Sequence, residues 1–263
     1  MKLQFYLRFR TQFGQSLWIS GDTEELGMDD PVRAKSMDYL NEEFWHTSFE
    51  IKKKDLQKNI RYKYLLKDKE GELIFEWGND RIISSKSLFG DAHHNDLNEV
   101  QFIDTWNHAG EYENAFFTAP FKNVLLKTNK PKFKSKPDKN FTHTFKVKAP
   151  ILKKNDVVCI SGSGEVLGNW STSKPILLAK EDDWWTINID LSESEFPLTY
   201  KYGVFDAKEN KFVAFESGNN RIIYNDISKK MIAVLHDGFI HFPNNSWKGA
   251  GVAIPVFSLR SKN

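Results

Sequence analysis

The chain says the same thing twice. Gly21 to Gly27 reads GDTEELG and Gly162 to Gly168 reads GSGEVLG, YKY stands at Tyr62 to Tyr64 and again at Tyr200 to Tyr202, and FEWGNDRII from Phe75 returns as FESGNNRII from Phe215. Three landmarks in one order at nearly one offset mean that the 263 residues hold a duplicated module. Any fold must therefore be one that a stretch of about a hundred residues can complete with its own core. The most faithful repeat is a polar loop rather than an apolar strand. A core needs only apolar residues of suitable size and spacing, so identity in a loop points to use at the surface.

Within each copy, short segments alternate apolar and polar residues or gather aromatic and β-branched ones, bounded by Gly, Asp, Asn or Pro. LQFYLRFR, SLWISG, FWHTSFEI and IRYKYLL serve the first copy, and HTFKVKA, DVVCISG, WWTINIDL and LTYKYGVF the second. No stretch sustains an amphipathic helix. The expected class is all-β: two tandem immunoglobulin-like antiparallel β-sandwiches joined by a linker. The expected boundaries are a first module at 1–104, a linker at 105–140, a second module at 141–243 and a different unit beginning at 244–263. Inside the linker, NKPKFKSKPDKN (Asn129 to Asn140) reads as a solvated connection. The preceding TWNHAGEYENAFFTAPF, with Trp106, Tyr112, Phe116, Phe117 and Phe121, is too apolar to be left in water and reads as packed on a module or on a neighbour.

Several function classes are disfavoured. A net charge of +2 sets up no field that would recruit nucleic acid or an anionic membrane. The single cysteine, Cys159, allows no intrachain disulfide and sits among Val and Ile as a strand thiol. The N-terminal MKLQFYLRFR lacks the continuous apolar run of a signal peptide, and no segment is long enough to span a bilayer, so the expected location is cytoplasmic. His93 and His94 are adjacent, and no spaced Cys or His completes a metal set with them. Neither a GxSxG turn nor a GxxxxGKS loop occurs, and no catalytic residue, metal or cofactor is expected. Aromatic residues are the departure at 14%, which leaves rings to spare for a ligand.

In the second copy, Trp170, Lys201, Phe215, Glu216 and Asn220 combine ring faces with a cation, a carboxylate and an amide beside turns. That set suits a sugar, whose C–H face packs on a ring while its hydroxyl rim takes directed hydrogen bonds. At these residues the chain resembles the family 20 starch-binding modules, whose main glucan site uses a Trp after Leu-Gly, a Lys after a strand Tyr and a Trp-Glu-x-Gly-x-Asn-Arg loop. The resemblance implies an α-glucan partner held by Trp170, Lys201, Phe215, Glu216 and Asn220, with Phe215 standing where the family has Trp. The first copy departs further: Asp29 takes the place of the stacking Trp, Phe75 again replaces Trp and Asp80 replaces Asn, so that Lys63 and Glu76 match. Trp77 reads equally as a displaced platform or as a core cap. Phe13 stands where family members introduce a second, weaker site. Phe13, Lys63, Phe75, Glu76 and Trp77 are thus the candidates for weaker binding in the first copy.

The ending SWKGAGVAIPVFSLRSKN contains an apolar run at Val252 to Leu259 suited to a buried strand. IPVFSLRS resembles the opening of the barrel in 4-α-glucanotransferases of the amylomaltase type. The resemblance implies a binding region ahead of a catalytic domain that transfers α-1,4-glucan segments, with that domain as an intramolecular partner. The alternative from another class is a scaffold that holds an oligomer or a protein partner, with only the second module, or neither, binding glucan.

Overall fold

The computed structural model describes residues 1–52, 55–84, 97–121, 141–149, 151–224 and 230–242. The His93–His94 pair, the Lys- and Pro-rich connection and the IPVFSLRS tail lie outside them. In the first module the strands are β1 (Lys2–Arg8), β2 (Ser16–Gly21), β3 (Lys35–Ser36), β4 (Asp38–Tyr39), β5 (Phe44–Glu50), β6 (Ile60–Lys67), β7 (Leu73–Phe75), β8 (Arg81–Ile83) and β9 (Glu99–Thr105). The second repeats the plan with β10 (His143–Lys148), β11 (Asp156–Gly162), β12 (Ile176–Leu177), β13 (Ala179–Glu181), β14 (Trp184–Ile189), β15 (Leu198–Asp206), β16 (Lys211–Phe215), β17 (Arg221–Ile223) and β18 (Met231–Phe239).

Alternation decides which faces are buried. Leu3, Phe5 and Leu7 of β1 are sealed from water, and Phe5 stacks on Phe102 at 5.1 Å while meeting Tyr62 edge-on at 5.2 Å. Phe145 of β10 repeats the contact against Tyr200, also at 5.2 Å. Each such side chain contributes about 1.5–3 kcal/mol of burial. In each module a five-stranded sheet, β3-β2-β6-β7 with β8 also on β6, or β12-β11-β15-β16 with β17 also on β15, covers its half of a larger sheet.

That larger sheet is where the architecture exceeds the expectation. It has eight strands in the order β13-β14-β10-β18-β9-β1-β5-β4 and crosses both modules. The closing strands β9 and β18 pair in parallel from Glu99↔Met231 to Asp104↔His236, and each is also parallel to the first strand of its own module. The modules are therefore joined by a hydrogen-bonded ladder as well as by the connecting chain. Successive residues of a strand face opposite sides, and β18 uses both: Ile232 and Val234 lie in the first core, Ala233 and Leu235 in the second. Ile103 of β9 packs reciprocally on the second core. The two small sheets thus lie on opposite faces of the shared one.

The segment after β9 crosses the end of this sheet. Trp106 is buried in the first core, and Phe117 meets Phe239 at 5.8 Å.

Candidate functional site

The repeated Gly-x4-Leu-Gly builds a turn. A Cβ on Gly21 or Gly162 would lie 2.3 Å from a backbone carbonyl, of Arg61 or Thr199, so only glycine fits. Leu26 and Leu167 are buried anchors. Gly27 and Gly168 then turn left-handed, as do the next two residues, Met28 and Asp29 or Asn169 and Trp170. The amides of Asp29 and Trp170 donate to the carbonyls of Gly21 and Gly162 at 2.6 and 2.8 Å. One turn thus presents Asp29 in the first module and Trp170 in the second.

The repeated loop carries a second, buried construction. Glu76 and Glu216 are 4% and 5% exposed, which removes both carboxylates from a ligand's reach. Arg81 donates from Nε and Nη2 to Glu76 at 3.0 and 2.8 Å, and Arg221 does the same to Glu216 at 2.9 and 2.8 Å. Each glutamate also accepts a strand amide, from Tyr64 or Tyr202. Both tyrosine hydroxyls of each YKY donate to one aspartate on the closing strand: Tyr62 and Tyr64 to Asp104, Tyr200 and Tyr202 to Asp237. Burial and the neighbouring aspartate raise all four phenols well above their ordinary range. Burial opposes the Arg81 and Arg221 charges, but Glu76 with Asp104, and Asp237 with Glu216, outweigh it and raise both guanidiniums. Burial also pushes the Asp104 carboxyl up, yet Arg81 and His236, whose Nδ1 stands 2.5 Å away, hold it below the usual range.

The identity of the loop therefore has a folding cause, which corrects the expectation that loop identity marks surface use. Glu76 and Glu216 are loop anchors. Lys63 and Lys201 serve the same loop, capping the carbonyls of Gly78 and Gly218 at 2.9 and 2.6 Å.

What differs between the copies is the rim. In the second module Trp170 and Phe215 are half-buried and meet at 6.1 Å with their planes 77° apart. Phe212 backs Phe215 at 4.5 Å. A register shift between Val204 and Phe205 pairs Phe205 with Phe212 and Val204 with Ala214, leaving Val213 as an extra residue that brings both phenylalanines to one side. Gly203 leaves room, since a Cβ there would stand 2.8 Å from the Phe212 ring. Asn220 is exposed at the end of the loop, beside the start of β17. Sequence reading misses Phe212 because a bulge breaks the two-residue period.

In the first module the corresponding rim is a set of ion pairs. Arg61 reaches Asp22 at 3.1 Å, Asp29 at 3.0 Å and Asp80 at 3.5 Å, and Lys63 reaches Asp80 at 3.2 Å. The hydrogen bond to Asp22, then the charge of Asp29, raises the Arg61 guanidinium. Where the second module has Ser163, Trp170, Thr199 and Asn220, the first has Asp22, Asp29, Arg61 and Asp80. Phe75 is 49% exposed without an indole to meet it, and Phe13 is fully exposed at the turn before β2. Trp77 leaves this rim altogether and lines the cleft between the modules. Among the described residues no group of three or more His, Cys, Asp or Glu side chains could hold a metal, and no helix is long and apolar enough to cross a membrane.

A pair of open rings at the rim of a β-sandwich, carried on a turn and loop locked from beneath, defines a class of ligand-binding β-sandwich modules. The Starch binding domain family matches residues 1–91 and 140–232, and the chain belongs to that family. Among its relatives, 4-alpha-glucanotransferase DPE2 of Oryza sativa subsp. japonica is 31% identical over 278 residues, which take in 98% of this chain and 28% of that protein. The chain thus spans little more than a quarter of this relative. Similar solved structures include the family 20 module of the maltotetraose-forming amylase from Pseudomonas saccharophila STB07, with 17% identity, 33% of this chain and 92% of that one covered and a TM-score of 0.28. Another is the family 26 module of Eubacterium rectale Amy13K in complex with maltoheptaose, with 11% identity, 94% and 100% coverage and a TM-score of 0.26.

Proposed function

We propose that the rim of the second module binds α-1,4-glucan chains, as starch, glycogen or maltodextrin, and in a longer protein holds them near a 4-alpha-glucanotransferase domain. The observation that carries this reading is the corner made by Trp170 and Phe215, half open to water with ring planes 77° apart. Successive glucose units of an α-1,4 chain turn relative to one another, so two angled rings meet two of their C–H faces where coplanar rings would meet one. The amide of Asn220 supplies a donor and an acceptor to the hydroxyl rim, while Lys201 and Glu216 hold the loop that carries them. A single shallow site of this kind binds with Kd of roughly 0.01–1 mM, about −4 to −7 kcal/mol. The link to a transferase is supported by the rice relative. A cytoplasmic setting belongs to the same reading and is supported by the single cysteine, Cys159, which allows no intrachain disulfide.

The ion pairs on the first rim favour a different task for that module, as a support and interaction surface instead of a second site of the same kind. Calorimetric titration with maltoheptaose tests the main reading. Trp170→Ala is expected to weaken rim binding at least tenfold, the scale of about 1–3 kcal/mol lost per aromatic platform, with an unchanged circular dichroism spectrum. Wild-type affinity in that variant would overturn the reading.

A further inference from the structure

The parallel pairing of β9 with β18 creates a cleft that neither module has alone. Its volume is about 1140 Å³, and it opens at the end of the shared sheet between the loop after β7, the turn before β14 and the segment that crosses after Phe117. From these observations we propose that the cleft is a second α-glucan site, separate from the rim, with Trp77 as its ring platform. The proposal rests on the reading that the chain binds α-glucan.

The loop that carries Trp77 otherwise repeats in the second module, where Ser217 stands in its place. Both residues are pinned alike, the Trp77 amide donating to the Asn107 carbonyl at 2.9 Å and the Ser217 amide to that of His241 at 2.6 Å. Asn107 also donates from Nδ2 to the Trp77 carbonyl at 3.0 Å, which fixes the indole's base from both sides. The indole is half-buried, and among the described residues neither a ring nor a cation stacks on it. The rings opposite are already engaged, because Lys148 lies over Trp184, Phe117 and Phe239 at 4.7–5.4 Å. That leaves Trp77 as the open face.

The polar groups fit a neutral, hydroxyl-rich guest. On the lining, Asn107 Oδ1 has no hydrogen-bond partner, while Asp237 Oδ1 is held by Arg221 at 3.5 Å and Arg8 at 3.8 Å. Charges of both signs line the walls, Arg8, Lys146 and Lys148 against Asp80, Asp182 and Asp183, so neither a phosphate nor a cation finds a field of one sign. The volume lies above the roughly 300–1,000 Å³ of ordinary small-molecule pockets, which suits an oligosaccharide better than a single sugar.

Calorimetry with maltoheptaose on the whole chain decides it. The unaltered protein is expected to bind two molecules, and Trp170→Ala to keep the cleft site alone. Trp77→Ala is expected to lose the cleft site and keep the rim. Ala119→Trp, which fills the cleft from an exposed lining position, guards against a folding effect of the first substitution and is expected to do the same with an unchanged thermal transition. Unaltered stoichiometry and affinity in both Trp77→Ala and Ala119→Trp would overturn the cleft site. Unaltered binding in Trp170→Ala would overturn the rim instead, so the two failures are distinct.

Discussion

Replacing Glu216 with alanine separates building a loop from gripping a ligand. In the native fold the carboxylate accepts the Tyr202 amide at 2.9 Å and two bonds from Arg221 at 2.9 and 2.8 Å. Arg221 itself has a side chain only 17% exposed. Removing Glu216 leaves a buried strand amide unpaired and strands the guanidinium on Asp237, 3.5 Å away. Breaking a buried pair from one side costs about 3–5 kcal/mol. For a cooperative unit of this size each kcal/mol lowers Tm by about 2–4 °C, so the expected drop is about 6–20 °C. Glu216→Gln, which keeps an acceptor for the amide, should lose less. Glu76→Ala should lose about as much as Glu216→Ala. Thermal unfolding followed by circular dichroism, with maltoheptaose titration well below the transition, measures both properties. A Glu216→Ala protein with native Tm and abolished binding would refute the assignment and make the carboxylate a ligand group.

Two further outcomes follow from the same geometry. Giving the first module the second module's rim, with Asp22→Ser, Asp29→Trp, Arg61→Thr and Asp80→Asn together, should add one maltoheptaose to the calorimetric stoichiometry; no added binding would show that the ion pairs are not what closes that rim. Stability should fall as pH drops from about 6.5 to about 4, because burial lowers His143 to about 4. The sign follows from the unfolded chain binding protons first: stability is complete above the unfolded pKa and is lost through this window, on the order of 3 kcal/mol for His143 alone. Urea unfolding at pH 7 and pH 4.5 measures the loss, and His143→Gln should flatten it; an equally steep loss in that variant would exonerate the imidazole.

The sandwich fold was legible because strands exposed on one face write alternation into the sequence, as KLQFYLR does in β1 and WWTINI in β14. Of the two strands that join the modules, β9 alternates in the same way, and β18 escapes that reading. In β18 the run Met231–Leu235 is continuously apolar because its residues serve a core on each side, and continuous runs carry no period. Trp170 and Phe215 were legible through the turn and loop that carry them. Phe212 was hidden by the bulge, and the roles of Glu216 and Lys201 by distances that only folding creates. The repeated letters misled in one respect: Tyr62, Tyr64, Glu76 and Arg81 recur because a buried polar network tolerates fewer substitutions than an apolar core does.

The ladder between β9 and β18 also dictates how the protein fails when divided. A cut between the modules would bare the amides and carbonyls on one side of Glu99–Thr105 and leave Ile232 and Val234 without the core they fill. Such an uncovered edge is a template for another chain. Halves made separately should therefore clump or exchange strands with one another, and mixing them should rescue solubility.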